Sequence, residues 1–94
     1  VYSQIEPDKA LEYYDMALPI YENIHGKEHA KIAIANTNMG ALYLGLKLYG
    51  DAITNFETAL DIWRKVYPQG HPNEAIVLRF LGQTYVRMGN HGSA

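Results

Sequence analysis

Residues 52–63 read Ala52-Ile53-Thr54-Asn55-Phe56-Glu57-Thr58-Ala59-Leu60-Asp61-Ile62-Trp63. Ala52, Phe56, Ala59, Leu60 and Trp63 recur at steps of three and four, which sets them along one face of a helix. The same face is written 42 positions earlier as Ala10, Tyr14, Ala17, Leu18 and Tyr21. Extended outward, residues 10–52 lie over 52–94 without a gap, and 11 of the 43 pairs are identical. Chance gives about three identities at ordinary residue frequencies. The other pairs are often similar, as in Leu11/Ile53, Tyr14/Phe56, Tyr21/Trp63, Ile24/Val66 and Met39/Leu81. Small residues fall on small and aromatics on aromatics, so what repeats is a packing unit.

A second stripe precedes each of these ends. Ile32, Asn36, Met39, Gly40 and Tyr43 share a helix face, and Glu74, Leu78, Leu81, Gly82 and Tyr85 echo it. The pattern predicts four helices at about 7–25, 30–46, 50–67 and 73–88, with a tail over 89–94. Pro7 suits the first turn of a helix, and Tyr67-Pro68-Gln69-Gly70-His71-Pro72 is a loop whose last proline opens the next helix. Gly89-Asn90 is expected to end the fourth helix through a left-handed cap. Pro19 removes a backbone bond inside the first helix and is expected to kink or fray it. The Gly45–Gly50 stretch is ambiguous. The period puts Lys47 where the second copy has Gly89, and a left-handed lysine costs about 1 kcal/mol or more.

Composition narrows the function. Apolar residues make up 48% of the 94-residue chain and charged residues 19%, which describes one small globular domain. Eight Lys and Arg against ten Asp and Glu leave a charge of −2, which argues against nucleic-acid binding. The chain lacks cysteine, so disulfides and Cys-based zinc sites are ruled out. Apolar runs fall far short of the roughly 18 residues needed to span a bilayer. Neither a basic start nor an apolar core marks a signal peptide, so an intracellular, cytoplasmic protein is expected. The chain begins with Val1, which points to an excerpt of a longer protein.

The stripe Asn36-x-x-Met39-Gly40-x-x-Tyr43, followed by Ala52, Phe56 and Ala59, resembles the tetratricopeptide repeat. The second copy reads Leu78, Leu81, Gly82, Tyr85 and Ala94. The usual repeat has about 34 residues; this longer one is similar to the kinesin light chain type. That type carries a Gly-x-x-His-Pro link, an Asn-Asn pair and an Ala-Leu-x-Ile run. This chain has Gly26-Lys27-Glu28-His29-Ala30, Gln69-Gly70-His71-Pro72, Thr37-Asn38 and Ala59-Leu60-Asp61-Ile62. It departs from the type at Ala30, at Lys47 and at Arg79-Phe80. The resemblance implies an all-α fold of antiparallel helical hairpins stacked in a right-handed superhelical solenoid. The first helix is then a B helix, about 30–67 is a complete repeat of helix A and helix B, and the fourth helix is the next A.

In such a stack Ala10, Tyr14, Ala17, Met39, Gly40, Tyr43, Ala52, Phe56, Ala59, Leu81, Gly82 and Tyr85 form the repeat core. Small members let helices approach and aromatic ones fill the gaps. The resemblance implies a concave groove lined by Ile34, Thr37, Asn38, Ala41 and Leu44, then by Ile76, Arg79, Phe80, Gln83 and Arg87. Asn38 is expected to clamp a peptide backbone, since its amide both donates and accepts. Arg79 and Arg87 are spaced to share a face and to meet a carboxylate through forked hydrogen bonds.

The expected function is a non-enzymatic scaffold that binds a peptide segment of a partner protein. The alternative is an assembly module acting through exposed stacking faces, with helix exchange through the Gly45–Gly50 turn. No catalytic set stands out: Ser occurs only at Ser3 and Ser93, and no phosphate-cradling loop is present. His25 and His29 have a metal-compatible spacing but lack a completing carboxylate. His29 and His71 recur at one repeat position, which favours a structural task where loop becomes helix. No cofactor is expected. Charge is uneven: residues 1–30 hold six acids and two bases, and residues 31–94 hold four acids and six bases.

Overall fold

The computed structural model describes residues 7–26 and 29–92. Four helices follow one another: α1 (Pro7–His25), α2 (Ala30–Gly45), α3 (Tyr49–Val66) and α4 (Pro72–Gly92). There is no strand among the described residues, and consecutive helices pack in turn. The α2–α3 hairpin is packed most extensively; α4 then covers α3, and α1 covers α2. The chain is therefore an all-α stack of tetratricopeptide type.

The core gathers where the sequence stripes meet. Ile32, Ala33 and Leu44 of α2 close on Ala52, Phe56, Ala59, Ile62 and Trp63 of α3, with Val77 and Leu81 of α4 beyond. Phe56 is enclosed completely and stacks on Phe80 with ring centroids 5.1 Å apart. On its other side the ring rests against Gly40, where a Cβ would come within 2.6 Å of the Phe56 ring. Only glycine allows α2 and α3 to approach this closely at that point.

The ambiguous turn closes. Lys47 amide donates to the Leu44 carbonyl at 3.0 Å and Leu48 amide to the Tyr43 carbonyl at 2.9 Å. That bond pair is a Schellman ending, and its left-handed position is Lys47, at φ 66°. The predicted strain is thus present, and within this single chain α2 and α3 form one hairpin rather than a fused helix.

Two expectations are corrected. Helix α4 does not end at Gly89 but runs to Gly92. Gly89 has no positive φ, because no chain reversal is made there to require one. Pro19 neither ends nor frays α1, which continues to His25. Pro19 lies on an exposed side of α1, where solvent can satisfy the carbonyl its missing N–H leaves free. Ala94, expected to extend the second copy, lies outside the described residues.

The recurring histidines start helices. His29 precedes α2 in an extended conformation, and its Nδ1 accepts from the Lys31 amide at 3.0 Å. His71 Nδ1 accepts from the Asn73 amide, also at 3.0 Å, at the start of α4. Each bond needs a neutral imidazole with its proton on Nε2. Rings from the preceding B helix, and for His71 also from Tyr67 just after it, hold both caps. His25 stacks on His29 at 4.4 Å; Tyr67 and Trp63 lie 4.4 and 4.8 Å from His71.

Candidate functional site

Helix α2 lies between α1 and α4, and its outward side forms three shallow clefts with them. The first, about 220 Å³, is lined by Ile34, Thr37, Asn38, Trp63, Asn73, Ile76 and Phe80. The second, about 260 Å³, adds Tyr14, Tyr21, Lys31 and Ala35 to Ile34 and Asn38. The third joins Asn38, Ala41 and Leu42 to Ala10 and Tyr14. Asn38 lines all three. It is exposed and makes no side-chain hydrogen bond among the described residues. Its neighbours on α2 are occupied: Asn36 Nδ2 donates to the Ile32 carbonyl at 2.9 Å, and Thr37 Oγ1 donates to the Ala33 carbonyl at 2.9 Å.

The first cleft joins apolar walls to two amides. Ile34 and Ile76 are both exposed there although hydrophobic. Trp63 lines the same cleft, is almost wholly enclosed, and has a buried Nε1–H without an acceptor among the described residues. A buried indole donor without a partner is costly, so the arrangement favours an arriving acceptor. Among the described residues no charged side chain lines this cleft. Its volume exceeds the roughly 150 Å³ of a cavity that admits benzene, so one apolar side chain fits.

The expected groove residues divide. Ile34, Thr37, Asn38, Ala41, Ile76 and Phe80 line one or more clefts, Phe80 while also stacked on Phe56. Arg79, Gln83 and Arg87 are exposed but line none of the three. Leu44 is corrected: it is buried in the α2–α3 core, since it follows Asn36 and Gly40 at steps of four on the buried face of α2. Among the expected core residues, Met39, Gly40, Ala52, Phe56, Ala59 and Leu81 are buried, and Ala10, Tyr14, Ala17 and Tyr43 are half-buried. Gly82 and Tyr85 are corrected as well: both are exposed, because no described helix packs on that side of α4. Sequence reasoning missed Trp63 and Asn73 as cleft residues. Trp63 was legible only as core, although its N–H marks it as a side chain needing a partner.

Lys31 is the one charged side chain among the described residues lining the three clefts. Burial, then the Asp15 and Asp51 carboxylates, push the Tyr43 hydroxyl above its ordinary range, so it stays protonated. His25 is lowered, first by desolvation and then by His29 and Lys31. Among the described residues no cluster of His, Asp or Glu could hold a metal, and no helix is long and apolar enough to cross a membrane.

Comparison with known proteins agrees with this architecture. A family profile of the tetratricopeptide repeat matches residues 31–94, and a second tetratricopeptide repeat profile, of the kinesin light chain-like type, matches residues 1–31. No curated protein and no solved structure matches significantly. Tetratricopeptide repeats are generally protein–protein interaction modules and typically non-enzymatic scaffolds. On matches that span the described helices, this chain belongs to the tetratricopeptide repeat family.

Proposed function

We propose that the outward side of α2, together with α4 and α1, binds a peptide segment of another protein. The observation that carries this reading is the free Asn38 amide, which stands where all three clefts meet. A backbone amide and carbonyl of a bound segment satisfy both halves of that side chain. An apolar side chain of the segment enters the cleft floored by Trp63, between Ile34 and Ile76. Thr37 and Phe80 complete the wall, and Ala41 lines the third cleft beyond Asn38. Arg79, Gln83 and Arg87 stand outside the clefts, so they meet only the parts of the segment that run past them. There a carboxylate is held by a forked pair.

Selection of a peptide library against the chain supplies the ligand. Asn38→Ala then weakens the selected peptide by about 1–3 kcal/mol, because a bound partner group is left unpaired. Equal affinity for wild type and Asn38→Ala refutes the clamp. A peptide that still binds after Ile34→Asp and Ile76→Asp together refutes the groove as a whole.

A further inference from the structure

Shifted by one period, α3 lies on α1 and α2 lies on α4, yet burial differs sharply within each pair. Ile20 is 58% exposed where its counterpart Ile62 is 5%, and Tyr21 is 37% where Trp63 is 2%. On α4, Leu78 is 45% exposed where Asn36 is 6%. Ala75, Gly82 and Tyr85 complete that stripe and are also exposed, whereas Ala33 and Gly40 are buried. Positions 75, 78, 82 and 85 share one helix face.

The inner hairpin shows what such faces accept. The Phe56 ring fits between Gly40 on one side and Phe80 on the other. In α1 the matching aromatic is Tyr14, and Asn38, the counterpart of Phe80, shares clefts with it. Tyr14 therefore has the second neighbour without the first. Gly82 is the counterpart of Gly40, and among the described residues nothing lies within 4 Å of the place a Cβ would take. Among the described residues, Tyr14 of α1 meets no such glycine and Gly82 of α4 meets no such ring.

We propose that a second copy of this chain joins the two: α1 of one copy docks antiparallel on α4 of another, with Tyr14 over Gly82. The contact repeats the packing of α2 on α3. Charge favours it. By sequence, helix α1 carries Asp8, Glu12, Asp15 and Glu22 against Lys9, and α4 carries Arg79 and Arg87 against Glu74, which is already paired with Arg64 at 3.1 Å. The joint is head-to-tail, so copies add one to the next, in an open row or, where the rotation closes, in a ring. The cleft floored by Trp63 is left outside the joint, whereas Tyr14 also lines the two clefts beside α1, so a peptide confined to the Trp63 cleft binds single chains and rows alike.

The test uses light scattering on wild type, Gly82→Glu and Tyr14→Asp, with circular dichroism to verify helix content. Wild type is expected to exceed its 10.6 kDa chain mass increasingly with concentration. Each variant alone stays at the single-chain mass, since each lacks one half of the joint. Their equimolar mixture gives a species of two chains and nothing larger, because one variant keeps α1 intact and the other keeps α4. Gly82→Ala, a mild change on an open helix face, weakens association about tenfold or more without loss of helix. The proposal is overturned if wild type stays monomeric, if Gly82→Glu associates as wild type does, or if the mixture stays at the single-chain mass. A folded Gly82→Ala variant that associates as tightly as wild type rejects the register.

Discussion

Helices α2 and α3 carry the same residue stripes as α4 and α1, but only the inner pair buries them fully. Phe56 is sealed between two helices while Tyr14, its counterpart, is half open. The difference teaches that a repeat stripe states where a neighbour belongs, while burial depends on whether that neighbour is there. Energetics should follow burial rather than sequence likeness. The largest expected contrast is Phe56→Ala against Tyr14→Ala. The first loses about 3–5 kcal/mol, the usual cost of an enclosed aromatic, and in so small a domain that approaches complete unfolding. The second loses no more than about 1 kcal/mol, in the range of partly exposed sites. Urea unfolding of the monomer measures both, and equal losses would break the comparison.

The two glycines sharpen it. Gly40→Ala forces a methyl against a ring that Phe80 already holds, at a cost of about 1–3 kcal/mol. Gly82→Ala meets open space and gains about 0.5–1 kcal/mol of helix propensity. Opposite shifts in melting temperature, read on dilute protein, are the expected result.

Turns give smaller effects. Lys47→Gly removes the cost of a left-handed side chain and stabilises by about 1 kcal/mol. An unchanged or lower melting temperature would mean that the lysine is not strained. The smallest effect is in pH. The His25 pKa is lowered in the folded chain, by desolvation first and then by His29 and Lys31. The folded state therefore resists a proton that the unfolded chain accepts near the ordinary value of 6.5. Stability from this group is complete above pH 6.5 and declines as pH falls below it. His25→Gln flattens that acid-side decline relative to wild type, and parallel melting curves across the same range would contradict the assignment.

Much of the fold was legible because helical packing writes itself at fixed spacing. The shift of 42 residues paired Gly40 with Gly82 and Phe56 with Tyr14, and it placed His29 and His71 at the helix starts they cap. The strain at Lys47 was legible too, from the turn and the missing glycine. What periodicity could not show was the neighbour of each face. Tyr85 and Gly82 have core identities and exposed surroundings. Leu44 was misplaced because it borders both faces of α2: it follows Ala41 by three on the outward side and Gly40 by four on the buried stripe, and it goes with the stripe. Trp63 looked purely apolar, yet its buried N–H lacks an acceptor. A hydrogen-bond requirement of that kind becomes visible only when every neighbour is in place.

Trp63 also supplies the most direct test of the groove, since the chain has a single tryptophan and so a single indole N–H signal. A selected peptide is added to nitrogen-15-labelled protein and followed by two-dimensional NMR. Binding in the clefts shifts the Trp63 indole together with the Asn38 and Asn73 side-chain amides, saturating at one peptide per chain. Shifts confined to the outer faces, at Tyr13, Ile20, Gly82 and Tyr85, with the Trp63 and Asn38 signals unmoved, would contradict the account.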